Sequence, residues 1–130
     1  MIMLDTNYLI RSLVKDAPEA EHVLSWLAAG EQLCASSVSW YEFVCGPVDE
    51  GGIDTVFSVL SDRVLPFTAD QAVEASRLFN ATGRKRFLRV NAMIAAAAIF
   101  SNARLATDNG ADFELFEPFG LSLVSLEERT

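Results

Sequence analysis

Five short, mostly apolar stretches without a strict polar alternation limit the folds open to this chain more than any other feature: residues 2–4, 32–36, 64–67, 103–106 and 121–124. A strand buried on one face alternates apolar and polar side chains, whereas one covered on both faces reads as a continuous apolar run. Each run lies beside a helical pattern, and strands alternating with helices build a parallel sheet with helices on both sides. The expectation is an α/β fold, a three-layer α/β/α single domain over residues 1–130 with a central parallel sheet of about five strands.

The helical patterns are local and specific. Ala20, Val23, Leu24 and Leu27 mark one face of a helix entered through Asp16 and Pro18 and stopped by Gly30, and Ile53, Val56, Phe57 and Leu60 mark another. Thr68-x-x-Gln71 has the form of a capping box and opens a helix carrying Ala72, Ala75 and Phe79 on one face, which Gly83 ends. Residues 87–101 are apolar nearly all round and rich in alanine, so a buried helix lying close against the sheet is expected there.

Composition narrows the function classes. With 51% of its 130 residues apolar, the chain can bury a core, which excludes disordered and disulfide-scaffold classes. Its formal charge of −8 excludes a passive nucleic-acid coat that works by blanket positive charge, and leaves open an enzyme that gathers carboxylates around a metal. Cys34 and Cys45 form neither a CxxC pair nor a disulfide framework and read as buried thiols in a reducing cytosol. Asp5 interrupts the apolar start too early for a signal peptide, and the longest apolar run, 92–100, is too short to cross a bilayer, so a soluble cytoplasmic protein without membrane association is expected. His22, the single histidine, reads as a surface residue beside Glu19 and Glu21 with no catalytic partner. Ser-His-Asp and Cys-His catalysis, glycine-rich phosphate loops and zinc spacings find no support.

In sheets of this kind, active groups gather at the carboxyl ends of strands, near the point where strand order reverses. Four acids have that context. Asp5 ends the first apolar run and opens a helix through Thr6 and Asn7, where a plain helix cap is the competing role. Glu42 lies among Trp40, Tyr41, Phe43 and Val44, where burial is costly without compensation, although Ser39-x-x-Glu42 also matches a capping box. Asp108 and Asp112 follow the fourth run in Thr107-Asp108-Asn109-Gly110-Ala111-Asp112-Phe113, which also reads as an ordinary Asp/Asn/Gly turn.

Taken together, order and spacing resemble the PIN-domain ribonucleases, and within them the VapC-like toxins of type II toxin–antitoxin pairs. The motifs that carry the resemblance are Leu4-Asp5-Thr6-Asn7-Tyr8-Leu9, Ser37-Val38-Ser39-Trp40-Tyr41-Glu42-Phe43, Val90-Asn91-Ala92-Met93-Ile94-Ala95-Ala96 and Leu105-Ala106-Thr107-Asp108-Asn109, with Asp112-Phe113 following. The resemblance implies a Mg2+- or Mn2+-dependent endoribonuclease in which Asp5, Glu42, Asn91 and Asp108 are catalytic. It makes these four and Asp112 metal ligands, with Thr6, Asn7, Thr107 and Asn109 in support. It further implies a homodimer and a small VapB-like antitoxin, for which Tyr8, Leu9, Trp40, Tyr41 and Phe43 are candidate groove residues. Position 91 departs from the family, which usually carries Asp there. Asparagine keeps a carbonyl oxygen but removes a charge, so weaker metal binding and slower turnover are expected. The change marks either a slow family member or a variant made so that a toxic nuclease can be produced in living cells.

The chemistry needs such a cluster because gathered carboxylates repel one another until a hard cation neutralises them. Arg84, Lys85, Arg86 and Arg89, four of the ten basic residues, lie just ahead of the Asn91 helix, where they could hold RNA phosphates or form a solvated charge run. Two other enzyme classes fit worse. A haloacid-dehalogenase-like phosphatase wants an aspartate where Asn7 stands, and a receiver domain wants one where Pro66-Phe67-Thr68 supplies none. The serious rival is a catalytically dead PIN-like module that binds RNA or a protein.

Overall fold

The computed structural model describes residues 1–125. The chain runs β1 (Ile2–Leu4), α1 (Thr6–Arg11), α2 (Pro18–Ala28), β2 (Leu33–Ser36), α3 (Ser37–Cys45), α4 (Glu50–Val59), β3 (Val64–Leu65), α5 (Ala69–Ala81), a 3-10 turn at Arg86–Leu88, α6 (Arg89–Phe100), β4 (Arg104–Ala106), α7 (Gly110–Glu114), a second 3-10 turn at Glu117–Phe119 and β5 (Ser122–Leu123). The strands form one parallel sheet in the order β3-β2-β1-β4-β5. All five runs therefore contain strands, β1 as long as its run and the other four shorter than theirs.

Because successive side chains of a strand point to opposite faces, β1, β2 and β4 each supply both cores. Met3, Cys34 and Leu105 meet Ala75, Leu78 and the buried alanines of α6 on one face. Ile2, Leu4, Leu33, Ala35 and Ala106 meet Tyr8, Leu9, Val23, Trp26, Val56 and Leu60 on the other. This is the three-layer α/β/α arrangement, and it explains why the strands lack polar alternation.

Several local expectations are revised. The buried line of α2 is Glu19, Val23 and Trp26, while Leu24 and Leu27 are exposed. Trp26 turns inward because its ring stacks against Tyr8, 5.7 Å between centroids, and lies against His22. Likewise α5 buries Gln71, Ala75 and Leu78 and leaves Ala72 at the surface, and Phe57 of α4 is exposed. Cys34 is a buried thiol, raised to about 11 chiefly by that burial, whereas Cys45 is exposed at the end of α3. Thr68 caps α5 by accepting from the Gln71 N–H, as its motif implies, and Gly83 follows at φ 95°, where a side chain would be strained. No helix among the described residues is long and apolar enough to cross a membrane.

Candidate active site

Strand order reverses at β1, which lies between β2 and β4, so the carboxyl ends of β1 and β4 flank a crevice. Register decides what stands there. Leu4 pairs with Ala106, so the next residues on the two strands, Asp5 and Thr107, come side by side. The Thr107 hydroxyl donates to Asp5 Oδ2 at 2.8 Å, and the Thr6 backbone N–H donates to Asp5 Oδ1 at 2.8 Å. Asp5 thus does cap α1, yet it is only 5% exposed, which is far more burial than a cap requires.

The second carboxylate arrives from α3. Strand β2 passes into this helix without a loop, and the cap is Ser36, whose hydroxyl accepts from the Val38 N–H. The expected Ser39–Glu42 capping box is not formed. Glu42 instead accepts from the Thr6 hydroxyl at 2.7 Å, across the packed pair α1 and α3, and the Ser39 hydroxyl is buried without a hydrogen-bond partner. Nothing in the sequence announces the Thr6–Glu42 bond, since its partners are thirty-six positions apart.

Burial raises the Asp5 carboxyl above its ordinary value; the Thr107 hydroxyl and Thr6 N–H oppose this, and the negative charge of Glu42 adds to it. Among the described residues, neither Asp5 nor Glu42 forms an ion pair with a basic side chain. The crevice therefore holds two acids that no basic side chain among the described residues pairs with, an arrangement that favours a bound cation.

The remaining site candidates differ in position. Helix α6 feeds β4 at its amino end, so it runs against the strands and directs its first turn, with half-buried Asn91, toward the carboxyl edge. Asn109 donates its N–H to Thr107 Oγ1 at 3.0 Å, Asp112 is half-buried in α7, and Asn7 is half-buried in α1. Asp108 is exposed, and its carboxylate acts on Arg11 and Glu19. Glu19 was overlooked in the sequence. It is buried, and its two oxygens each accept from Arg11 Nε at 2.9 Å. Burial works to raise its carboxyl, but the Arg11 hydrogen bond, with lesser contributions, holds it below the ordinary value. The acid directly after Pro18, where a helix N-terminus favours negative charge, was the available signal.

Two aromatic expectations are also corrected. Tyr8 and Leu9 are fully buried and Phe43 nearly so, because α1 and α3 pack on each other and on the sheet; only half-buried Trp40 and exposed Tyr41 remain at the surface. His22 is no isolated surface residue: it is half-buried, with Nδ1 3.0 Å from the Tyr8 hydroxyl.

The donors fit a hard divalent ion in one respect and fall short in another. Magnesium is held by one or two carboxylates with water and substrate oxygens completing its shell, and Asp5 with Glu42 supplies that number. Among the described residues no three His, Cys, Asp or Glu side chains converge as a larger ligand set would require.

A family model described as the PIN domain matches residues 2–116. The chain belongs to the PIN domain family. Comparison with curated protein sequences gives no match. Solved structures share the fold at low identity. A chain of FitAcB from Neisseria gonorrhoeae is 21% identical with a TM-score of 0.68, covering 96% of this chain and 97% of that one. A chain of a toxin–antitoxin complex from Klebsiella pneumoniae is 23% identical with a TM-score of 0.69, covering 87% and 90%. A chain of VapBC-1 from nontypeable Haemophilus influenzae is 20% identical with a TM-score of 0.70, covering 96% and 98%. For this PIN domain, these likenesses establish the fold.

Proposed function

We propose that this PIN domain is the toxin of a VapBC-type pair, a Mg2+- or Mn2+-dependent endoribonuclease attenuated by Asn91 and neutralised by a cognate VapB-like antitoxin. The observation that carries the reading is the Asp5–Glu42 pair, two carboxylates without an ion-pair partner among the described residues at the crevice where strand order reverses. Family membership supports nuclease chemistry, and the toxin–antitoxin complexes among the similar folds support the antitoxin.

Asp5 and Glu42 would hold the ion, with Asn91, Asp108 and Asp112 completing the edge. A bound divalent cation supplies activation of water and stabilisation of the leaving oxygen in phosphodiester hydrolysis. Thr6 and Thr107 orient the two carboxylates, because each hydroxyl donates to one of them. Asn109 fixes the Thr107 hydroxyl in turn through its backbone N–H. Arg84, Lys85, Arg86 and Arg89, all exposed, hold RNA phosphates on an otherwise acidic molecule. Exposed Tyr41 and half-buried Trp40 are the surface residues left to meet the antitoxin. The protein acts in the cytoplasm as a homodimer.

One observation favours a second reading, a catalytically dead binding module: among the described residues no third acid joins Asp5 and Glu42 in a metal-holding cluster, and the third motif contributes Asn91 where an acid would strengthen the site. Mn2+ titration followed by thermal unfolding separates the two. A Tm that rises with Mn2+ in the unaltered chain, more steeply in Asn91→Asp and not at all in Asp5→Asn, supports the nuclease site. No shift in any of the three overturns it.

A further inference from the structure

The seam between α5 and α6 opens into a groove of about 390 Å3, within the size range of small-ligand sites. Its walls are mixed: Phe67, Phe79 and Met93 are apolar, Ser76 and Asn80 are polar, and Arg84 and Arg89 stand at its rim. Both guanidinium groups lie over the Phe79 ring, 5.4 Å and 5.6 Å from its centroid. Arg84 also donates to the Asn80 side-chain oxygen, which leaves the Asn80 amide N–H groups to donate. The loop is bent to make this possible. Arg84 follows Gly83 with φ 57°, a left-handed conformation unfavourable for a residue with a Cβ, and so folds back along α5.

We infer that this groove is a nucleotide subsite of the RNA substrate, taking one base between Phe67 and Met93 while Arg84 and Arg89 hold the adjoining phosphate; the inference rests on the ribonuclease reading above. Single-stranded RNA is bound by this combination of apolar or guanidinium stacking surfaces, polar groups for base edges and cations for the backbone. Charge complementarity selects RNA over an apolar peptide, since a chain of net charge −8 places four of its ten basic residues within residues 84–89 and two of them on this groove. The groove does not coincide with the carboxylate crevice. Arg89 and Met93 are one turn apart on the groove face of α6, and Asn91 lies about 200° around the helix from Arg89. The subsite therefore takes a nucleotide neighbouring the cut, and it selects where cleavage falls without touching the reacting phosphate.

The test is fluorescence anisotropy with labelled single-stranded RNA of about twelve nucleotides, in EDTA so that no cleavage occurs, across a range of salt. Ser76 is exposed on α5, so Ser76→Trp fills the groove from its rim. That variant should lose about tenfold in affinity with an unchanged salt slope, as expected for a lost base contact. Arg84→Ala with Arg89→Ala should weaken binding and flatten the slope by about 0.7, as expected when one phosphate of a single strand is no longer neutralised. If the unaltered chain binds RNA and Ser76→Trp binds equally well, the subsite is overturned while the ribonuclease reading stands. If the unaltered chain binds no RNA, both are overturned. If the groove variants alter only the self-association of the chain, the groove is a protein interface and the inference is overturned.

Discussion

Replacing Thr107 with valine removes one hydroxyl at nearly constant shape and tests whether the crevice is held together as described. The hydroxyl donates to the buried Asp5 carboxylate at 2.8 Å and accepts from the Asn109 N–H at 3.0 Å. A hydrogen bond to a charged group contributes roughly 1.5–3 kcal/mol, and leaving a buried acceptor unsatisfied places the cost at the upper end, so Thr107→Val should destabilise by about 2–3 kcal/mol at neutral pH. The cost depends on pH with a definite sign. Thr107 lowers an Asp5 carboxyl that burial raises, so its removal raises that group further and disfavours the ionised form. As pH falls through the raised Asp5 value toward 3.8, the carboxyl becomes protonated and the loss should shrink to about 1 kcal/mol, typical of a neutral hydrogen bond. Urea unfolding followed by the fluorescence of Trp26 and Trp40 measures it, and a cycle with Asp5→Asn isolates the pair, with an expected coupling of about 1 kcal/mol at neutral pH. A loss below about 0.5 kcal/mol at neutral pH, or one that does not change on acidification, would refute the description of Asp5 as a buried, ionised carboxylate steadied by Thr107.

Other outcomes follow from the same contacts. Because Asp5 is raised in the fold, its ionisation costs stability above that raised value and nothing below 3.8; Asp5→Asn should therefore raise Tm at neutral pH, with the gain vanishing in acid, as calorimetry against pH would show. Glu19 is lowered, so its pairing with Arg11 stabilises above the ordinary carboxyl value and is lost as pH falls through the folded one; Arg11→Met should lower Tm at neutral pH and converge with the parent in acid. Thr68→Ala removes the cap on the Gln71 N–H and should cost about 1 kcal/mol in urea unfolding, independent of pH near neutrality. Tyr8→Phe, which leaves the ring stacked on Trp26 but removes the bond to His22, should cost about 0.5–1.5 kcal/mol.

The sheet was legible because its signal is local. Residues such as Ile2, Met3 and Leu4, apolar in succession, require cover on both faces, and that requirement already implies parallel strands with crossover helices. Helix faces were read less well where a tertiary contact outweighed periodicity: Leu24 looks as apolar as Val23, but Trp26 takes the inward position by stacking on Tyr8. In the site, Asp5 and Glu42 could be named from their motifs, whereas their meeting through Thr6, and the register that sets Thr107 beside Asp5, depend on how distant segments pack. Asp108 illustrates the limit from the other side. Its place after the fourth strand points to the crevice, whereas its interaction with Arg11 and Glu19, which come from distant segments, has no local pattern to announce it.

The central claim is that Asp5 and Glu42 form a cation-dependent phosphodiesterase site that Asn91 weakens. Its most direct test incubates the unaltered chain, Asn91→Asp, and Asn91→Asp combined with Asp5→Asn, with total cellular RNA in Mg2+ or Mn2+, each with an EDTA control. The account predicts discrete cleavage by Asn91→Asp that EDTA abolishes, weaker or no cleavage by the unaltered chain, and none once Asp5 is neutralised. No cleavage by Asn91→Asp, or cleavage that survives EDTA or the loss of the Asp5 charge, would contradict it.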